Sequence, residues 1–456
     1  MSRDSIHQNS HNKTTTPPPQ SAAASSSPSL AVVTTMEIEH PAAGASAPLS
    51  PNPKTMAPTW WAESKNMWEI AAPALITEVS QFSISFVTAA FVGHLGSLQL
   101  AAVSIVQNVL ETFVFGFMLG MGSALETLCG QAVGAGQTHM LGIYMQRSWI
   151  ICMVTALCLA PVYILATPIL KLLHQDRRIS ELAGKFAIWV VPQLFLYALN
   201  FPLQKFLQAQ SKVWVLTSIS TVVLGIHGLL NWVFVAKLGY GVVGAAVVAD
   251  VSWLLVVLGQ MIYVVSGYFP EAWTGFSMKA FKSLGGFVKL SLASAIMLCL
   301  ELWYTTVVIL MVGWLKNPEI AVDAISICVR VSNELGAGNH KAAKFSVMVT
   351  VTTSTILGLI FAAAVLATKN EFPKLFTSKP EVIHEASKLG YFLAATIFLD
   401  SILPVLHGVA VGAGWQFQVA LINIVCYYVF GLPIGALLGY KFEYGVTRTC
   451  SWLIQP

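Results

Sequence analysis

Ten long apolar segments follow one another along this chain, and each is long enough to cross a lipid bilayer. A bilayer core about 30 Å thick requires roughly 20 predominantly apolar residues in a helix. Backbone polar groups in lipid must be satisfied within their own segment, so each segment is predicted to be an α-helix. The sequence therefore predicts an all-α polytopic membrane protein, with spans near residues 70–92, 100–124, 148–170, 184–203, 213–236, 242–265, 288–313, 345–367, 388–411 and 417–439.

The composition excludes several classes of protein. Hydrophobic residues make up 55% of the 456 residues and charged residues only 10%, with a net charge of +4. An ordinary soluble domain has about 25% charged residues. So few charges cannot keep the surface of a soluble enzyme hydrated, and the small net charge creates no basic field for phosphates. We therefore expect this chain to contact a lipid bilayer and to bind no nucleic acid.

Residues 1–59 differ from the rest of the chain. They are rich in Ser, Pro, Thr and Ala, and their longest apolar run covers only residues 30–33. A signal peptide needs an apolar stretch of roughly 7–15 residues. The segment also buries too little apolar surface to offset its ordering entropy, so we predict a disordered cytosolic tail.

The basic residues do not determine the orientation in the membrane. Nine of them fall in the predicted cytosolic loops and ten in the opposite loops, a difference too small for the positive-inside rule. Lys205 is one of the nine, because it follows the predicted fourth span. The tail is placed in the cytosol because it contains no export signal.

The two halves of the chain resemble each other. The motif "VGAGQ" at 133–137 corresponds to "LGAGN" at 335–339, and their glycines are expected to allow tight turns between helices. Such a repeat is typical of transporters built from two pseudo-symmetric lobes. We predict a six-helix N-lobe at 60–266 and a linker at 267–287.

The second half is shorter than the first. Ile105 precedes Gly134 by 29 residues, whereas Ile327 precedes the equivalent Gly336 by only 9 residues. The difference of 20 residues is about one membrane span. We predict an incomplete C-lobe at 288–446, with about four helices, and a divergent tail at 447–456. About ten of twelve parent helices would then be present, without the eighth and the twelfth.

Seven motifs follow one another in a fixed order between about Trp60 and Val446. They are "FVGHLGSLQLAAVSI", "GSALETLCGQAVGAGQ", "PEAWTGFS", "CLELWY", "NPEIAVDAISIC", "RVSNELGAGN" and "HGVAVGAGWQ". Their order and spacing resemble the plant branch of the MATE family, the multidrug and toxic compound extrusion transporters also called DETOXIFICATION proteins. The resemblance implies a secondary antiporter that exports organic cations or secondary metabolites in exchange for protons.

Two carboxylates in apolar spans are the main candidates for function. A charge in the hydrocarbon region costs about 2.5 kcal/mol or more, so each such residue is a functional hypothesis. Glu301 lies in the middle of a span, and Asp400 lies one turn before Pro404, which is expected to break the helix. The alternative for each is a satisfied polar contact within the helix bundle. The resemblance implies a proton-coupling role for Glu301 and a shared pocket with Asp400.

Other polar residues in the spans are weaker candidates for a cavity. Glu78, Asp250 and Asn423 either face a cavity or bond to neighbouring helices, and Glu111 is expected to make only structural contacts. His227 and His407 are typical of core histidines rather than of ligands. No cluster of His, Cys and carboxylate residues has ligand spacing, so we predict no metal and no other cofactor.

The glycine motifs do not match the ATPase pattern G-x-x-x-x-G-K-[ST], so transport would need an ion gradient.

We predict a monomeric, multi-pass antiporter of the vacuolar or plasma membrane, exporting small organic cations, xenobiotics or plant secondary metabolites in exchange for protons. Loss of one span would disturb the topology after Arg330, so transport by this chain is expected to be impaired. The alternatives are a non-transporting isoform that modulates a full-length sibling, or a membrane-embedded enzyme.

Overall fold

The computed structural model describes an almost entirely helical chain. Its described residues are 60–173, 175–312, 332–371 and 380–436. The predictions for the tail at 1–59, the segment at 319–329 and the terminal segment at 447–456 lie outside the described residues. The lobe boundaries also stay predictions.

The helices of the first half are α1 (Trp60–Gly93), α2 (Ser97–Ile105), α3 (Thr112–Gly134), α4 (Leu141–Ile164), α5 (Ala166–Leu172), α6 (Arg177–Trp189), α7 (Val191–Ala209), α8 (Val213–Asn231) and α9 (Gly241–Val265). Those of the second half are α10 (Leu284–Val312), α11 (His340–Thr368), α12 (Pro380–Asp400), α13 (Leu403–Ala413), α14 (Gln416–Asn423) and α15 (Leu432–Ala436). Three wider π-helical segments continue α2, α8 and α14 without a break, at Val106–Glu111, Trp232–Lys237 and Ile424–Gly431.

Each of the ten predicted spans overlaps a helical stretch, and the fourth and the ninth are each built from two helices. In the described part of the chain, nine helical stretches are long and apolar enough to cross a membrane, and one bent pair of helices makes a tenth. Large apolar side chains such as Phe86, Leu157, Ile262 and Phe361 are exposed along these stretches. Lipid would cover such a surface, which is too apolar for contact with water. The predicted all-α polytopic fold is confirmed.

The fourth span is bent, whereas the sequence analysis treats it as one continuous segment. Helices α6 and α7 meet at Val190 with an angle of 48° between them. Pro192 lies in the first turn of α7. Proline lacks a backbone N–H and its ring collides with the preceding turn, so α6 cannot continue through it. The first N–H groups of α7 therefore have no acceptor within their own helix.

Helix α3 joins the two halves of the chain. A methyl group on Gly120 would lie 2.3 Å from Cα of Ala295 on α10, so the two backbones touch at this point. Farther along α3, Thr127 Oγ1 donates a hydrogen bond of 2.6 Å to the carbonyl of Val411 on α13. Close contact through small residues and side-chain hydrogen bonds is how helices associate in membranes.

The four glycines of the repeated motif have two different roles. Gly136 and Gly338 both have φ of +72°, which confirms the expected tight turns, since other residues rarely adopt this conformation. Gly134 and Gly336 have ordinary backbone angles, and glycine is required there because neighbouring backbone leaves no room for a side chain. A methyl group would lie 1.9 Å from the Asn333 carbonyl oxygen at Gly134, and 2.1 Å from the Gln131 carbonyl oxygen at Gly336. The two related loops therefore pack directly against each other.

Candidate functional site

Glu301 and Asp400 come together in the second half of the chain. Glu301 lies on α10 and Asp400 is the last residue of α12, and their carboxyl groups are close enough to interact electrostatically. His407 on α13 places Nδ1 3.1 Å from Oε2 of Glu301. Two carboxyl groups and one histidine, from three helices, thus form one cluster, called the acidic cluster below.

The break between α12 and α13 positions Asp400. Helix α12 ends at Asp400, and α13 begins with Leu403 and Pro404. The break that Pro404 predicts is therefore present. The carbonyl of Ser401 in the break accepts a hydrogen bond from Ser354 on α11, which satisfies one of the groups freed from the helix.

Two tyrosines from a π-helical segment lie beside this acidic cluster. Tyr427 stacks on Tyr304 of α10 with 4.4 Å between ring centroids, and it interacts electrostatically with Glu301 and Asp400. The Tyr428 hydroxyl donates a 2.9 Å hydrogen bond to the Leu300 carbonyl. π-helical turns are frequent at functional sites because they turn side chains away from the regular helical register.

An aromatic cluster lies two residues along the chain from Glu301. Trp303 stacks on Phe113 of α3, with ring centroids 5.0 Å apart and 3° between the planes. Phe117, also on α3, meets the same indole edge to face at 5.5 Å. The composition alone cannot indicate which aromatic residues come together. The structure groups these three, and it groups others elsewhere in the bundle, such as Tyr197 with Trp253. Trp303 lies on a different face of α10 from Glu301, because side chains two residues apart on a helix do not face each other.

Asn423, one of the weaker candidates, joins two helices. The side chain is 3% exposed, and Nδ2 donates to the Met297 carbonyl on α10 at 3.4 Å. Asn423 therefore makes the helix-to-helix contact that is the alternative to a place in the cavity.

Glu78 lies near a buried ion pair that the sequence analysis does not identify. Lys205 Nζ on α7 is 2.7 Å from Oε2 of Glu126 on α3, and the side chains are 7% and 5% exposed. Glu78 on α1 interacts electrostatically with Lys205. Lys205 was expected in a loop, but α7 extends past the predicted span and buries it. Glu126 and Lys205 each lie two residues beyond the end of a predicted span, so neither is predicted to be inside the helix bundle.

Asp250 lies beside Glu111 rather than beside Glu301. The two carboxyl groups interact electrostatically within the first half, and Asp250 lies near the backbone N–H of Gln193 at the start of α7. His227 is fully buried and bonds to Thr88, as expected for a core histidine. Within the part of the chain that the structure describes, no three His, Cys, Asp or Glu side chains form a group able to hold a metal.

Comparison with known proteins identifies the family. The MatE family profile matches residues 73–233 and 324–437. Protein DETOXIFICATION 33 of Arabidopsis thaliana is 54% identical over 412 residues, which are 86% of this chain and 85% of that protein. The chain belongs to the MATE family. Protein DETOXIFICATION 31 of Arabidopsis thaliana is another MATE relative, 51% identical over 84% of this chain and 77% of its own length.

Solved MATE structures share the fold. The crystal structure of the eukaryotic MATE transporter AtDTX14 matches with a TM-score of 0.77 and 32% identity, over 87% of this chain and 94% of that chain. The Vibrio cholerae MATE transporter VcmN in the bent form matches with a TM-score of 0.75 at 18% identity, over 87% of this chain and 93% of that chain, and this likeness supports the fold alone. The resemblance to plant MATE transporters and the two-lobed helical architecture are confirmed, and this MATE protein is a multi-pass membrane transporter.

Proposed function

We propose that this MATE protein is an antiporter that exports small organic cations, xenobiotics or plant secondary metabolites in exchange for protons, with Glu301 and Asp400 as the exchange site. The observation that carries the proposal is the convergence of two carboxyl groups from separate helices in an apolar region. Carboxylates within the membrane cost energy and are retained where they serve transport. The protein acts as a monomer in the vacuolar or plasma membrane.

The negative charges of Glu301 and Asp400 explain how a proton would be exchanged for a cationic substrate. Two neighbouring carboxylates repel each other in a medium of low dielectric constant, so the pair favours binding of a positive charge. A proton and a cationic substrate then compete for the same pair, and competition for one site is sufficient to couple two opposite movements. The contact with His407 at 3.1 Å orients the Glu301 carboxyl group.

Two stacked tyrosines beside the site provide a surface for the substrate. Tyr427 stacks on Tyr304 and interacts electrostatically with Glu301 and Asp400. A cation over an aromatic face gains about 0.5–2 kcal/mol, and more where water is excluded. Planar cations would therefore bind better than compact cations of equal charge.

Neutralising either carboxyl group is expected to abolish exchange. Glu301→Gln and Asp400→Asn keep the shape of the side chain but remove the negative charge that attracts the proton. In sealed vesicles with an imposed pH gradient, uptake of ethidium should fall to the level of vesicles without the protein. Glu181→Gln is the matched control, because Glu181 forms exposed ion pairs with Lys171 and Arg177.

The control variant should retain wild-type flux, and elution of each variant as a single species in size-exclusion chromatography would show that it is folded. Wild-type flux in both Glu301→Gln and Asp400→Asn would contradict the assignment of the exchange site.

We also propose that this chain transports less than a relative with a longer second half. The second MatE match, 324–437, is shorter than the first, 73–233, in agreement with the short spacing before Gly336. Insertion of a family eighth helix between Cys328 and Arg330 is expected to increase ethidium resistance in a pump-deficient bacterial strain. Equal resistance with and without the insertion would refute the proposal that transport is impaired. Co-purification of this chain with a longer sibling would favour the alternative, in which this chain modulates that sibling.

A further inference from the structure

The connection between α9 and α10 exposes four large apolar side chains outside the membrane-spanning helices. Tyr268 is 68% exposed, Phe276 79%, Met278 78% and Phe281 60%. A group of large apolar side chains this exposed is uncommon on a surface that faces only water, and it usually marks a contact with a protein or a membrane. The connection therefore has a surface that needs a partner.

Hydrogen bonds hold this segment in a defined position. Gln146 Nε2 on α4 donates to the Gly275 carbonyl at 2.9 Å, and Gln146 Oε1 accepts from the Ser277 backbone N–H at 2.8 Å. These two bonds lie on either side of Phe276, whose ring also packs edge to face on Trp273 with 5.5 Å between centroids. The exposure of Phe276 is therefore built into the fold, and a partner would meet a preorganised surface.

The same segment is basic. From residue 266 to residue 289 the chain contains Lys279, Lys282 and Lys289 and a single acidic residue, Glu271. Lys279 and Lys282 are exposed, and no carboxylate among the described residues forms an ion pair with either of them. Their charges are thus available to a partner. Exposed apolar side chains next to unpaired lysines complement the surface of an anionic bilayer.

The surface continues the lipid-facing surface of the two neighbouring helices. Ile262 near the end of α9 and Val288 near the start of α10 are both exposed apolar residues. The ring of Tyr268 stacks on Tyr263, in the last turn of α9, with 4.9 Å between centroids. Tyrosines at the end of a span are typical of the membrane–water interface. The bilayer that covers both helix ends is therefore the nearest apolar partner for the segment.

We propose that this segment binds anionic phospholipids of the leaflet that it faces. The binding surface, called the linker surface below, consists of Tyr268, Phe276, Met278, Lys279, Phe281 and Lys282. Its apolar side chains would enter the boundary between headgroups and acyl chains, and its two lysines would contact the headgroups. Each lysine near an anionic surface increases the affinity by about a factor of five.

Lipid bound there would hold the segment, and with it the end of α4 that carries Gln146, at the surface of the bilayer. The linker surface lies on the side predicted to be cytosolic, where anionic lipids are concentrated. It shares no residue with the exchange site at Glu301 and Asp400, so lipid binding does not depend on that assignment.

Hydroxyl-radical footprinting measures the accessibility of Met278 directly. The purified full chain is placed in nanodiscs of phosphatidylcholine alone or of phosphatidylcholine with phosphatidylserine, and oxidation of Met278 is quantified by mass spectrometry of peptides. Oxidation should be about fivefold slower, or more, with phosphatidylserine, because the headgroups bind the lysines and hold Met278 below them. The double variant Lys279→Gln/Lys282→Gln should oxidise equally fast in both kinds of nanodisc.

A matched control removes two exposed charges from another part of the chain. Arg178 and Lys185 are exposed on α6, and Arg178→Gln/Lys185→Gln should keep the wild-type difference between the two nanodiscs. All four substitutions change exposed side chains, and elution as a single species in size-exclusion chromatography would show that each double variant is folded.

Two results would overturn the proposal. The first is equal oxidation of wild-type Met278 in both kinds of nanodisc, or an undiminished difference in Lys279→Gln/Lys282→Gln. The second is protection of Met278 in detergent without phospholipid that increases with protein concentration, which would identify a second copy of the chain as the partner.

Discussion

Replacing Glu126 with glutamine is expected to lower the free energy of unfolding by about 3–5 kcal/mol, the usual cost of removing one partner from a buried ion pair. Lys205 Nζ lies 2.7 Å from the Glu126 carboxylate, and both side chains are more than nine-tenths buried. Glutamine keeps the volume but not the charge, so Lys205 would stay charged and buried without its closest carboxylate. Thermal unfolding of the purified protein in detergent should show a clearly lower melting temperature.

Two further substitutions separate the buried charges from simple packing. Glu78 also interacts electrostatically with Lys205, so Lys205→Met and Glu78→Gln are introduced together in the Glu126→Gln background to remove the other two charges. Replacing a whole buried ionic group by neutral side chains is often close to neutral, and the triple variant should therefore recover most of the lost melting temperature. Glu181→Gln, which breaks two solvent-exposed ion pairs, should leave the melting temperature almost unchanged. A triple variant less stable than Glu126→Gln would show that the buried charges do not account for the loss.

Adding one methyl group at Gly134 or Gly336 is expected to disrupt the contact between the two repeated loops. The new carbon would meet a backbone carbonyl oxygen at 1.9 Å in Gly134→Ala and at 2.1 Å in Gly336→Ala. Backbone cannot rotate aside as a flexible side chain does, so we expect each variant to lose about 1–3 kcal/mol or more, the range for overpacked sites. Melting temperature and the yield of monodisperse protein measure the effect.

Gly225 provides the matched control for these variants. It lies within α8, and a methyl group added there meets no atom within 4 Å. Gly225→Ala should therefore cause no loss, because alanine is also the better helix former. Equal melting temperatures for Gly134→Ala, Gly336→Ala and Gly225→Ala would mean that the loops have room to separate.

Hydropathy and repeats were sufficient to predict the helical architecture. A span must be apolar over its whole length to remain in lipid, so its signal is local and is visible without tertiary information. The ten spans, the break before Pro404 and the turns at Gly136 and Gly338 follow from such local rules. The likeness to MATE transporters, rather than any spacing, brought Glu301 and Asp400 into one predicted pocket.

Pairs between distant helices could not be predicted in this way. Glu126 and Lys205 lie on α3 and α7, and nothing in either local sequence specifies the other as its partner. Glu111 and Asp250 are separated in the same manner, and their proximity results from the packing of α9 beside the bent fourth span. Gly134 and Gly336 were recognised as turn residues, but contact between their loops is a property of the assembled helices.

The π-helical segment Val106–Glu111 affects how the second span must be mapped. Each additional residue in a turn rotates everything beyond it by about 100° around the axis. A helical wheel drawn at constant pitch through Ser97–Gly134 would therefore assign Phe113 and Phe117 to the wrong sector. Accessibility mapping by cysteine substitution on this span should be interpreted with two wheels, one ending at Ile105 and one starting at Thr112.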